Sequence, residues 1–95
     1  MRRAAKVDTN QAEIVQNLRE LGCTVQSIAS MGRGVPDLLV GWKGKNYLFE
    51  VKDPAKPPSK RILTEDELNW QLAWRGQVRT IESTYQALEE MTHEG

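Results

Sequence analysis

Two short runs constrain this 95-residue chain more than any other feature: Gly34-Val35-Pro36-Asp37-Leu38-Leu39-Val40 and Asn46-Tyr47-Leu48-Phe49-Glu50-Val51-Lys52. Each is apolar and β-branched with Gly, Pro or Lys at its ends, which is the pattern of a short strand. The insert Gly41-Trp42-Lys43-Gly44-Lys45 offers glycine where a tight turn needs positive φ, so the two runs are expected to pair antiparallel. With Lys43 and Gly44 as the loop, or with a four-residue loop from Trp42 to Lys45, the numbers of opposed residues sum to 87. Asp37 then lies across from Glu50. Alternation brings Lys52 to the same side and sends Tyr47, Phe49 and Val51 to the other.

Two carboxylates facing each other repel, and burial strips them of hydration, so a cation is expected between them. Hard oxygen ligands with room for water suit Mg²⁺, with Mn²⁺ as a substitute. The competing explanation is a surface pair of an acid with Lys52.

The length is that of one small domain, residues 1–95, near the lower limit for a self-sufficient core, so help from a partner chain is plausible. No long apolar run or signal-like segment is present, and a soluble, cytoplasmic protein is expected. The one cysteine, Cys23, rules out an internal disulfide and reads as a small buried hydrophobe; with the lone His93 it makes no zinc constellation. Net charge is zero but segregated: residues 1–61 hold 11 Lys/Arg against 6 Asp/Glu, and residues 62–95 hold 2 against 7. One face or end can therefore be basic enough to meet nucleic acid.

Residues 1–7, with Arg2, Arg3 and Lys6, read as a flexible basic arm, either a solvated tail or a DNA contact. Asp8 or Thr9 caps a helix whose stripe is Ile14, Val15, Leu18 and Leu21, ending at Gly22. A strand follows over 24–29, then a mobile connection, Met31-Gly32-Arg33-Gly34. It lacks the ending of a phosphate-binding P-loop. Arg33 reads equally as a phosphate clamp and as a solvated loop residue.

Beyond the hairpin, 53–61 is a proline-stiffened loop in which Lys56, Lys60 and Arg61 are candidate phosphate contacts. Thr64 to Glu67 forms a capping box, which accounts for Glu67 without chemistry. The helix that follows is apolar on two sides, Leu68 with Leu72 and Trp70 with Trp74, more than one sheet can cover. The surplus aromatic face, Trp70 with Trp74, predicts a homodimer. Gln71, on the same helix, is a candidate for positioning water or phosphate. A strand over 77–81 and a helix capped by Ser83 and Gln86 complete the chain.

Gly-Val-Pro-Asp-Leu-Leu followed by Phe-Glu-Val-Lys resembles the PD-(D/E)xK nuclease superfamily, and within it the stand-alone phage and bacterial virus-type replication-repair nuclease (VRR-NUC) domains. The resemblance extends from the first helix to Trp74-Arg75-Gly76-Gln77-Val78. It implies an α/β restriction-endonuclease-like core, a mixed sheet flanked by helices in the order α-β-β-β-α-β-α. It also implies a metal held by Asp37, Glu50 and the Val51 carbonyl, with Lys52 in catalysis. Related nucleases carry a glutamate in the first helix that approaches the metal, and Glu13 is the residue at the matching position; relatives also often place Gln or Glu early in the later helix, which leaves the role of Glu67 open. The implied activity is Mg²⁺-dependent DNA phosphodiester hydrolysis leaving a 5′-phosphate and a 3′-hydroxyl, by a homodimer acting on branched DNA in repair or recombination. A four-way (Holliday) junction is the leading substrate. A generic nicking nuclease, a non-catalytic DNA-binding module and a small interaction subunit are the alternatives.

Overall fold

A computed structural model describes residues 9–93, so the expected basic arm at 1–7 lies outside the described residues. The elements are α1 (Thr9–Glu20), β1 (Thr24–Ser27), β2 (Leu38–Trp42), β3 (Lys45–Val51), α2 (Glu65–Ala73), β4 (Arg79–Ile81) and α3 (Thr84–Thr92). Single turns of 3₁₀ helix occupy Ala29–Met31 and Pro58–Lys60. The sheet order is β1-β2-β3-β4, antiparallel until the parallel β3–β4 pair, which makes it mixed. The expected element order and α/β class are both present.

The hairpin closes as a two-residue loop. Trp42 pairs with Lys45, and Lys43 and Gly44 both take positive φ (51° and 80°), as a type I′ turn requires. Leu38 pairs with Phe49, so the sum of 87 holds along the ladder. Two boundaries differ from expectation. Strand β2 starts at Leu38 rather than in the 34–37 segment, because Gly32, Arg33 and Gly34 all take positive φ (72°, 58° and 84°) and close a turn in which Val35 N donates to the Gly32 carbonyl. Strand β1 ends at Ser27, two residues early, since the chain then winds into 3₁₀ helix.

Strand β4 is also shorter than the 77–81 segment. The Gln77 side chain, not its backbone, meets β3: its amide oxygen accepts from Leu48 N at 2.6 Å and its amide nitrogen donates to the Leu48 carbonyl at 3.3 Å. A side-chain amide thus satisfies a peptide group that would otherwise be an open strand edge.

The core lies on one face of the sheet. Leu38, Val40, Phe49, Val51 and Ile81 are almost wholly buried against Ile14 and Leu18 of α1 and Ala87 and Met91 of α3. Cys23 is buried with them, and burial raises its thiol pKa. Burying one such side chain stabilises by about 1.5–3 kcal/mol. The caps are as expected: Thr64 Oγ1 accepts from Glu67 N while Glu67 Oε1 accepts from Thr64 N, and Ser83 Oγ accepts from Gln86 N. Helix α2 differs from the other two in burying no residue. Among the described residues no helix is long and apolar enough to cross a membrane.

Candidate active site

Asp37 is fixed through both its backbone and its side chain. Its carbonyl accepts from Ile28 N at 2.9 Å, Pro36 before it is fully buried, and its Oδ2 accepts from Val51 N at 2.8 Å. The last bond draws the carboxylate across the end of the hairpin toward Glu50, close enough for each acid to act on the other's ionisation. The two acids thus meet as the register predicts, with Asp37 one residue ahead of the ladder.

Glu50 is 3% exposed. Burial and the negative charges of Asp37 and Glu67 push its pKa to about 9, the charge of Lys52 offsetting only part of this. Asp37 is also raised: burial outweighs the Val51 N–H and the other groups that favour its ionised form. Lys52 Nζ lies 3.6 Å from Glu50 Oε2 and 2.8 Å from Glu67 Oε1. Burial opposes the ammonium, but the bond to Glu67 and the charges of Glu67, Glu50 and Asp37 outweigh it, so the pKa of Lys52 is raised. Glu67 is lowered: burial would raise it, but Lys52, the Thr64 N–H and Glu50 prevail.

This arrangement fits a divalent cation. Lys52 is in contact with Glu50 and Glu67, and burial together with the charges of Asp37 and Glu67 raises the Glu50 pKa to about 9 despite that ammonium. Asp37 and Glu50 are the residues that would hold a hard dication, and such an ion would supply further positive charge. Among the described residues no three His, Cys, Asp or Glu side chains form a ready metal cage. Glu67 faces the ammonium, which leaves the pair rather than a triad as the donor set. Val51 touches Asp37 through its N–H.

Other expected site residues fall at varying distances from this point. Gln71 Nε2 reaches Thr80 Oγ1 at 3.4 Å, and Thr80 is the ladder partner of Glu50, so Gln71 stands one position from the acids. Glu13 is exposed on α1, and no hydrogen bond or ion pair joins it to Asp37 or Glu50. The α1 residue that reaches this end of the sheet is Asn10, whose Nδ2 donates to the carbonyls of Lys52 (2.9 Å) and Glu82 (3.1 Å). Arg33, Lys56 and Lys60 are exposed. Arg61 is half-buried with NH1 3.8 Å from Glu82 Oε2, so it is an ion-pair partner as well as a surface cation.

Sequence reasoning stopped short at Glu67, whose capping role is real but whose carboxylate also holds Lys52. The capping box gave the start of α2; nothing in its spacing said that this turn lands on the site.

Neither a protein-family model nor a curated protein matches the chain. A solved structure described as a VRR_NUC domain matches it with TM-score 0.63 and 26% identity, covering 90% of this chain and 92% of that one. With the Asp37 turn and the Glu50-Val51-Lys52 run meeting at one end of the matched sheet, the chain has the fold of a VRR_NUC domain.

Proposed function

We propose that this protein is a metal-dependent DNA endonuclease that acts on branched DNA, with the four-way junction as its leading substrate. The VRR_NUC fold implies nuclease-type chemistry and DNA as the substrate. The observation that carries the rest is the meeting of Asp37 and Glu50 at a buried point beside Lys52.

Bound there, Mg²⁺ or Mn²⁺ would supply Lewis acidity and a more acidic water for in-line attack on phosphorus. Asp37 and Glu50 would hold it, with the Val51 carbonyl as a further ligand. Lys52, kept as an ammonium by its two acidic neighbours, would orient the attacking water and stabilise charge on the phosphate oxygens. Held in that state, it donates hydrogen bonds rather than accepting the proton. Gln71 and Thr80 border the site and would position water or phosphate. Arg33, Lys56, Lys60 and Arg61 are the proposed backbone contacts. Glu13 would join only by reaching in from its exposed position on α1.

The uncovered side of α2, with Leu72 72% and Leu68 46% exposed and Trp74 stacked on Trp70, supports a homodimer that presents two sites to two strands. The test is cleavage of a four-way junction and of linear duplex of the same sequence, in Mg²⁺, in Mn²⁺ and in chelator, by wild type and Asp37→Ala. Divalent-dependent cleavage favouring the junction and absent from Asp37→Ala is expected. Equal cleavage by the variant would overturn the site assignment, and equal rates on both DNAs would overturn the substrate assignment.

A further inference from the structure

We infer that Glu67 is a positioning residue for Lys52, so that the first turn of α2 belongs to the reaction centre; the inference rests on the nuclease reading above. One oxygen, Glu67 Oε1, accepts from both Thr64 N (2.9 Å) and Lys52 Nζ (2.8 Å). Helix capping needs only the first bond. The second sets where the ammonium lies. Lys52 Nζ is 0.8 Å farther from Glu50 than from Glu67, a hydrogen-bonded ion pair against a looser charge contact. The side chains of Lys52 and Glu67 are only 11% and 20% exposed, so water screens this pair little.

The chemical consequence concerns Glu50. Without Glu67, the nearest carboxylate to the ammonium is Glu50, and Lys52 would settle on the oxygens that a cation needs. Glu67 holds the ammonium at 2.8 Å, against 3.6 Å from Glu50, so Lys52 sits at the edge of the acid pair rather than on it.

The location of Glu67 is itself fixed by packing. A Cβ at Gly34 would overlap the Asp66 carbonyl and crowd Glu67 N, so the turn that delivers Asp37 is pressed directly against the first turn of α2. Asp37 and Glu67 are therefore held in one frame, although 30 residues separate them and α2 buries none of its own side chains.

Three variants of the full chain separate capping from positioning. Thr64→Ala removes the capping hydroxyl and spares the partner of Lys52. Glu67→Gln keeps an acceptor oxygen but no charge. Glu67→Ala removes both. Steady-state cleavage is measured in Mg²⁺ below the melting temperature of all variants. Glu67→Ala is expected to lower kcat about 100-fold with KM within about twofold, the loss typical of a misplaced catalytic group. Glu67→Gln should recover part of that loss, and Thr64→Ala should stay within about threefold of wild type. Equal kcat in Glu67→Ala and Thr64→Ala would overturn the inference.

A second readout does not depend on cleavage: the ¹⁵N resonance of the Lys52 ammonium in metal-free protein, assigned by its loss in Lys52→Ala. It should be sharp in wild type and exchange-broadened in Glu67→Ala; an unchanged signal would overturn the inference. Wild type that cleaves no DNA in Mg²⁺ or Mn²⁺ would sink the nuclease reading instead, and this resonance would then decide the role of Glu67 alone.

Discussion

The two faces of the sheet do different work. On one, Leu38, Val40, Phe49 and Val51 are buried to within 2% against α1 and α3 in an apolar core, with Tyr47 donating from its hydroxyl to the Met91 carbonyl at its edge. On the other, Leu39, Leu48 and Thr80 are only half-covered, and α2 reaches the strands through polar contacts, Gln71 to Thr80 and Glu67 to Lys52. The same strands supply both faces, alternating residue by residue: Phe49 and Val51 point into the core while Glu50 between them points at Asp37. Stability is thus concentrated on one side and charge on the other. Burying a cluster of acids costs free energy that the opposite face can offset.

The sharpest way to break this comparison is to change adjacent residues on opposite faces. Glu50→Gln should lower cleavage about 10³-fold or more, the several kcal/mol that a metal contributes, while leaving the metal-free fold as stable as wild type or more so. Phe49→Ala, one residue away, should cost about 3–5 kcal/mol of stability, read by denaturant unfolding. Loss of stability in Glu50→Gln comparable to that in Phe49→Ala would show that the two faces are not separable.

A second test follows from protonation. The folded, metal-free protein holds a proton on Glu50 up to about pH 9, whereas the unfolded chain releases it near the ordinary value of 4.5. Between these values the native state binds more protons, so this stability is present at low pH and is lost as pH rises toward 9. The raised Asp37 acts in the same sense, while Glu67, lowered by Lys52, adds stability that disappears only as pH falls below its usual range. Melting temperature without divalent ion should therefore decline from pH 6 to pH 9. Mg²⁺ should raise it more at pH 8.5 than at pH 6, because at pH 6 the ion must displace the proton. A flat profile would mean that the acids are less buried or less close than the fold requires.

The smallest effect sharpens the role of α2. Leu72→Lys, at a position 72% exposed, should change monomer stability by no more than about 0.5 kcal/mol. It should nevertheless shift the mass in solution from dimer to monomer, measured by light scattering. A monomeric wild type would remove the proposed partner from α2.

The fold was readable where local rules dominate. The turn chemistry of Lys43 and Gly44 set the register, and the register brought Asp37 to Glu50. Thr64 and Ser83 marked helix starts because a capping hydroxyl is a local requirement. What stayed hidden depends on long loops and on tertiary fit. The segment 52–64 decides where α2 lands, and no periodicity encodes its path, so the contact between Glu67 and Lys52 could not be read. Glu13 illustrates the same limit: the helix was plain, but its rotation presents Asn10 to the Lys52 carbonyl and leaves Glu13 exposed. The half-paired start of β4 was missed because the Gln77 side chain replaces backbone there.

The most direct test of the central proposal is anomalous diffraction from crystals of the protein soaked in Mn²⁺. A single strong peak within coordination distance of a carboxylate oxygen of both Asp37 and Glu50, with the Lys52 ammonium still on Glu67, is the predicted result. No peak there at millimolar Mn²⁺, or an ion held by only one of the two acids, would contradict it.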